Sequence, residues 1–144
     1  MLRRRAKRLH SGGGMNLWVK IGLVALGGAL GALSRTGLSE WIYGHTGEEG
    51  FAWGTLTVNL LGCLLIGMAR AGVETADWAS PELRTLTFSG FLGAFTTFST
   101  FEADAMTMWR SGERVLAGIY LGGSVVGGLI AFILGWYIIA RAAA

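Results

Sequence analysis

The chain is 144 residues long, with apolar residues at 52%, charged residues at 15% and a formal net charge of +3. Soluble globular proteins carry roughly 25% charged residues, so this composition excludes a soluble domain, and the length allows one domain only. The single cysteine, Cys63, excludes an internal disulfide and a paired-cysteine metal or redox site, and the scattered His10 and His45 make no metal site either.

Residues 1–14 form a basic extension, with Arg3, Arg4, Arg5, Lys7 and Arg8 ahead of Ser11-Gly12-Gly13-Gly14. Its composition reads as a disordered tail, or as the consequence of a start at Met15; contact with anionic lipid is a further reading. A cleaved signal peptide is set aside, because no cleavage site follows Leu33 and removal would delete a whole apolar segment. The working domain is then 15–144.

Four membrane spans follow, at about 17–43, 51–70, 83–108 and 114–140. A bilayer core about 30 Å thick needs about 20 apolar residues as a helix, and the charges are segregated to leave such runs. Phe51 to Ala69 is uncharged over 19 residues, Thr85 to Phe101 over 17 and Val115 to Ala140 over 26. The first span carries Gly27 and Gly31 as a GxxxG, beside Gly28; its Arg35 lies about 25 Å beyond Trp18 at about 1.5 Å per residue, near the far interface, where a long side chain can snorkel. Trp18, Trp41, Trp53, Trp109 and Trp136 fall near span ends, as an aromatic belt does.

The second span reads Gly54-Thr55-Leu56-Thr57-Val58-Asn59-Leu60-Leu61-Gly62, with Asn59 near mid-membrane and Thr55 one turn earlier on the same face. A polar group at that depth needs a partner or a job; helix-to-helix glue and a permeation role both remain open for Asn59. The third span has no charge between Thr85 and Phe101, yet holds seven hydroxyl residues and five phenylalanines. Phe88, Phe91, Phe95, Phe98 and Phe101 repeat every three or four residues, which on a regular helix is one broad face and reads first as packing. Thr96-Thr97 and Ser99-Thr100, crowded after Gly90 and Gly93, make a poor continuous helix and predict a break. Irregular backbone inside a membrane is tolerated where it lines a pore or holds an ion. The fourth span carries Gly118, Gly122, Gly123, Gly127 and Gly128, read as close-packing positions.

The groups available at membrane depth are an amide, hydroxyls and the electropositive edges of aromatic rings. With no mid-membrane carboxylate, these favour an anion path; composition does not choose the anion. Four spans put both termini on one side. From Met15 onward that side holds Lys20, Arg70, Arg84 and Arg141, and the other holds Arg35, Arg110 and Arg114. Four against three leaves the positive-inside rule nearly silent, so insertion in both orientations and antiparallel pairing are expected, with the basic extension, if present, favouring N-inside.

Three stretches resemble the CrcB/Fluc fluoride channels: Gly27-Gly28-Ala29-Leu30-Gly31-Ala32-Leu33-Ser34-Arg35, Thr57-Val58-Asn59-Leu60-Leu61-Gly62, and Gly93-Ala94-Phe95-Thr96-Thr97-Phe98-Ser99-Thr100-Phe101. The resemblance runs over Met15 to Ala144; Ala94 and Thr36 stand where the family commonly has glycine and an aromatic. It implies an all-α integral membrane protein with a broken third helix, forming an antiparallel dual-topology homodimer in the cell membrane with two fluoride pores. It further implies that Asn59 donates its amide to fluoride, that Phe98 and Phe101 present ring edges, and that Ser99 and Thr100 supply hydroxyls. Tyr120 would line the pore, Thr55 would neighbour it, and Arg35 would sit near a vestibule. A structural Na+ would be held at the dimer centre by the backbone carbonyls of Gly93 and Thr96.

That resemblance implies passive fluoride export that protects the cytoplasm, with no nucleic acid partner. A proton-coupled dual-topology exporter is the alternative; it needs a mid-membrane carboxylate, and Glu40 lies too near the end of its span. A structural membrane subunit is another. An enzyme is not expected, because no nucleophile, base and orienting acid come together.

Overall fold

A computed structural model describes residues 15–46, 51–76 and 79–143; the predicted basic extension 1–14 lies outside them. Among the described residues the fold is all helix. The elements are α1 (Leu17–Thr46), α2 (Trp53–Ala76), the single turn α3 (Pro81–Arg84), the π-helical α4 (Thr85–Leu92), α5 (Gly93–Phe95), α6 (Phe98–Arg110) and α7 (Arg114–Ala142). Three of these, α1, Trp53–Glu74 of α2 and α7, are long and apolar enough to cross a membrane, at the places where uncharged runs predict spans.

The predicted span at 83–108 is not one helix. Ser80 starts the segment by accepting the Leu83 amide at 3.2 Å, with Pro81 in the first helical position. The π-helical α4 comes next, its backbone bonds reaching five residues instead of four, and the sequence carries no signature for it. The chain then leaves helical geometry altogether: Thr96 is extended at φ −84°, ψ 155°, and Thr97 at φ −145°, ψ 122°. Two consecutive β-branched residues favour extended backbone, and the Thr97 hydroxyl restarts the chain as the cap of α6, accepting the Thr100 amide at 3.3 Å.

Backbone-to-backbone contact at glycine pairs the helices. α1 lies against α4, where a methyl group on Gly27 would stand 2.9 Å from the Gly90 Cα. α2 lies against α7 in a reciprocal pair: a methyl on Gly67 would strike the Phe132 carbonyl, and one on Gly135 the Leu64 carbonyl. Gly27 and Gly31 therefore pack as the GxxxG pattern predicts. In α7 the expectation needs correction. Gly127 and Gly128 face Leu60 and Cys63 of α2, but Gly118, Gly122 and Gly123 face open space, and Gly135 makes the closest contact.

α6 turns into α7 at Gly112, whose φ of +87° is a left-handed conformation that favours glycine. The Glu113 amide reaches back to the Met108 carbonyl at 3.0 Å and that of Gly112 to Trp109 at 3.2 Å, a Schellman closure. Beneath this turn lies the buried cluster of Ala52, Phe101, Ala105, Met108, Ala117 and Tyr120. Outside it, α1 and α7 present Leu26, Leu30, Leu33, Ile119, Val126, Leu129, Ile130 and Ile133 outward. This is far more exposed apolar surface than water tolerates, and it suits lipid. Trp18, Trp41, Trp53 and Trp109 are also exposed, at helix ends where an aromatic belt belongs.

Candidate functional site

The interruption at Thr96–Thr97 is held from α2. The Asn59 Nδ2 donates to the Thr97 carbonyl at 3.0 Å, and the Asn59 Oδ1 accepts the Thr97 amide at 2.9 Å. In a continued helix that amide would close on the Gly93 carbonyl, four residues back; Asn59 takes it instead. The Thr100 amide likewise goes to the Thr97 hydroxyl and not to the Thr96 carbonyl. The break releases the carbonyl oxygens from Gly93 to Thr96 from their helical donors, those of Gly93 and Thr96 among them. Room for the break comes from Gly62, where any side chain would collide with the Thr96 methyl.

Beside the break is a cavity of about 330 Å³, lined by Asn59, Thr96, Thr97, Phe98, Phe101 and Ser124 together with Cys63 and other apolar groups. One hydrogen of the Asn59 amide is engaged by Thr97, and the other is available to a ligand. Phe98 and Phe101 stand 5.7 Å apart with rings inclined by 47°. They differ sharply in burial: Phe101 is 7% exposed and Phe98 69% exposed, because Phe98 projects away from this chain's own core.

The five phenylalanines of this segment do not form one stripe. Phe88 lies beneath the Arg70 guanidinium, 5.0 Å from ring centre, and Phe91 stacks on Phe95 at 5.7 Å. Phe98 and Phe101 face the cavity. The π-helical stretch and the extended pair each reset the rotation of the chain, so spacing on a regular helix misassigns these faces.

Tyr120 is 1% exposed. Its ring meets Phe51 edge-on at 5.4 Å and Phe101 at 5.3 Å, and its hydroxyl donates to Asp104 Oδ2 at 3.3 Å. Thr55 is buried at 4% exposure. A second cavity of about 370 Å³ opens on the other side of this pair, lined by Glu40, Tyr43, Phe51, Asp104, Ser111 and Glu113 among others. Ser99 lies apart, in a groove between α6 and α7 with Glu102, Met106 and Trp109. The Thr100 hydroxyl is 2.9 Å from that of Thr97, and Arg35 is half-buried on α1. Among the described residues no group of three His, Cys, Asp or Glu could hold a metal ion.

Structure thus gathers Asn59, Thr96, Phe98 and Phe101 at one cavity, places Tyr120 against Phe101, and leaves Ser99 and Arg35 outside it. Sequence reasoning passed over Ser124, whose hydroxyl oxygen is buried with no hydrogen-bond partner, and Asp104. The signal for Ser124 was available: it is four residues, one turn, beyond Tyr120. For Asp104 there was none, because its partner lies 16 residues away on another helix.

A model of the family described as CrcB-like protein, camphor resistance, matches residues 22–136. Curated relatives named fluoride-specific ion channel FluC include those of Rhizobium etli, Stutzerimonas stutzeri and Nitrosococcus oceani. The chain is 47% identical to that of Rhizobium etli over 103 residues, covering 72% of this chain and 82% of the relative. It is 47% identical to that of Stutzerimonas stutzeri over 108 residues, covering 75% and 86%. With that of Nitrosococcus oceani it shares 43% over 122 residues, covering 85% and 97%.

Proposed function

The chain belongs to the CrcB family, and from that membership we propose that it is a fluoride-selective channel of the cell membrane. It spans the membrane several times and passes fluoride out of the cytoplasm passively, relieving fluoride toxicity. The observation that carries this reading is the likeness to channels named fluoride-specific over most of their length. The cavity beside Thr96–Thr97 supports it, since it offers an amide hydrogen, an unpartnered hydroxyl and aromatic rings to a small anion.

On this reading the segment from Pro81 to Arg110 is the third of four spans, broken at its middle, and two copies pair antiparallel. The break presents Gly93, Phe98, Ser99 and Thr100 on the surface of one chain, where a second copy covers them. Asn59 donates its free amide hydrogen to fluoride, and Phe98 and Phe101 turn ring edges to it. Ser99 and Thr100 contribute hydroxyls, Tyr120 and Thr55 line the approach, and Arg35 stands at a vestibule.

A structural Na+ fits the residues present. The Gly93 and Thr96 carbonyls, deprived of their helical donors by Asn59 and Thr97, are hard oxygen ligands of the kind such cations take. Two copies would supply four. The ion would fix the break at the dimer centre, and it carries no current.

Fluoride is small and strongly hydrated, so entry into low dielectric demands donors that replace its water stepwise. Neutral HF enters from acid surroundings and dissociates inside. A negative-inside potential then drives the anion out with about 2.3 kcal/mol per charge per 100 mV, so no energy source need be bound. The test is fluoride efflux from liposomes holding the purified protein, read with a fluoride electrode beside a chloride control. Fluoride-selective efflux is expected; equal chloride efflux, or none of either from a folded protein, would overturn the reading.

A further inference from the structure

Arg70 and Arg84 stand at the edges of two uncharged runs. Arg70 is the first charge after the 19 residues from Phe51 to Ala69, and Arg84 is the last before the run that begins at Thr85. The first run is about 28 Å of helix at about 1.5 Å per residue, close to the hydrocarbon thickness of about 30 Å. Both guanidinium groups are therefore at the depth where acyl chains give way to lipid phosphate.

The fold brings the two together. The Arg70 guanidinium lies over the Phe88 ring, 5.0 Å from its centre. Arg84 is one turn before Phe88 and lines a notch with it, beside Val73, Ala79 and Leu83. Its Nε donates to the Ala79 carbonyl at 3.0 Å, which fixes that side chain against the segment before α3. Arg70 is exposed. Among the described residues it donates no hydrogen bond and pairs with no carboxylate, although Glu74 is one turn further along α2. A guanidinium seated on an aromatic face is held in place while its N–H edge stays open.

We infer that Arg70 and Arg84 form a site for the phosphodiester headgroup of an anionic lipid. The planar fork of Arg70 matches two phosphate oxygens, and Arg84 adds a second positive charge. Val73 and the partly exposed Leu83 offer apolar surface to the acyl chain, which a free phosphate ion does not use.

The distribution of charge favours the same ligand. Gly27 against Gly90 and Gly31 against Phe91 set α1 parallel to α4, so Lys20 lies at this end. Gly67 against Phe132 and Gly135 against Leu64 set α7 parallel to α2, which brings Arg141 there too. Among the described residues the carboxylates of this end are Glu74 and Glu82, both exposed. The opposite end instead gathers Glu40, Asp104 and Glu113 at one cavity, beside Arg110 and Arg114. Basic side chains at the membrane surface attract anionic lipid, so the pair sits at the end that draws it. The inference rests on the chain's place in the membrane and not on the ion it passes.

The test titrates the purified protein in neutral detergent with phosphatidylglycerol, phosphatidylcholine or inorganic phosphate, and counts bound lipid by native mass spectrometry. Phosphatidylglycerol is expected to bind, and phosphatidylcholine more weakly, because its own cation neutralises the phosphate. Arg70→Gln is expected to raise the half-saturating phosphatidylglycerol concentration about tenfold. Arg141→Gln removes a cation of the same end, carried on α7, and is expected to change it less than about twofold. Equal losses in the two variants mean diffuse attraction and overturn the inference, as does equal binding of the two lipids. Displacement of phosphatidylglycerol by inorganic phosphate identifies a free-phosphate site and overturns the lipid assignment. If Arg70→Gln fails to fold, Arg70→Lys decides: it keeps the charge and loses the fork, so binding equal to the parent overturns the inference. Fluoride flux is no part of the readout, so a failure of the channel reading leaves the test intact.

Discussion

Asn59 on α2 and Thr97 between α5 and α6, 38 residues apart, exchange two hydrogen bonds of 3.0 and 2.9 Å through the two ends of one side-chain amide. The asparagine thereby satisfies both backbone groups of a residue that has left the helix. In a membrane no water is present to do so. The glue and permeation roles left open for Asn59 on sequence are not alternatives in this arrangement. One amide hydrogen and the oxygen hold the break, and the second hydrogen remains for a ligand.

Removing that amide should therefore cost stability as well as flux. Asn59→Ala leaves a carbonyl and an amide unpartnered, at about 1–3 kcal/mol each. Asn59→Asp keeps the acceptor for the amide but turns a second oxygen toward the Thr97 carbonyl. Both variants are expected to lose fluoride efflux and to melt earlier in detergent. An Asn59→Ala protein that melts like the parent would show that the break does not depend on Asn59.

The glycines separate into two groups that a single substitution can distinguish. At Gly27 and Gly135 a methyl group would meet backbone of the facing helix, and overpacking of this kind costs about 1–3 kcal/mol. At Gly118 the same methyl meets nothing in the chain, so Gly118→Ala should leave the melt of the single chain within about 0.5 kcal/mol. If Gly118 lies against a second copy, its effect appears as a raised dimer dissociation constant, measured by dilution in detergent. Equal melts for all three variants would mean that the helix pairs are looser than described.

Phe98 and Phe101 should also respond differently. Phe101 is packed against Tyr120 inside the chain, and Phe101→Ala is expected to destabilise by about 3–5 kcal/mol. Phe98 is largely exposed in the single chain, so Phe98→Ala should spare the fold of the chain while lowering fluoride efflux. Loss of folding in Phe98→Ala with normal dimerisation would contradict the placement of Phe98 outside the core.

Orientation in the membrane can be read directly. A single cysteine in place of Ser111, in a Cys63→Ser background, sits in the exposed turn between α6 and α7. If the chain inserts both ways, as its balanced basic residues suggest, roughly half of the molecules in intact cells should react with an impermeant maleimide. Deleting residues 1–14 should then move the fraction toward one half if the basic extension had biased it. Complete labelling, or none, in both forms would exclude dual topology.

Much of the fold was legible because the decisive signal is local. Runs of 19 and 26 uncharged residues place α2 and α7 without reference to any partner, since the bilayer itself sets the length a helix needs. The Thr96-Thr97 irregularity was also visible, because β-branched and hydroxylated residues carry their backbone preference with them. The phenylalanine stripe was misassigned for a connected reason: counting threes and fours presumes an unbroken regular helix, and a π-helical stretch followed by two extended residues violates that twice. Gly118, Gly122 and Gly123 were assigned to close packing on spacing alone, whereas the contacts fall at Gly67 and Gly135.

By itself the sequence determined that this is a chain of membrane helices with polar groups at depth and one span unfit to remain regular, because hydrophobic run length and backbone preference belong to contiguous residues. Its motifs also carried the family. Only the tertiary structure decided which polar groups meet: that Asn59 caps Thr97, that the Tyr120 hydroxyl donates a hydrogen bond to Asp104, and that the Ser124 hydroxyl is left unpartnered beside the cavity of Asn59. A hydrogen bond needs two groups within about 3 Å. For residues on different helices that distance is set by glycine contacts and by the rotation of each helix, neither of which spacing along the chain encodes.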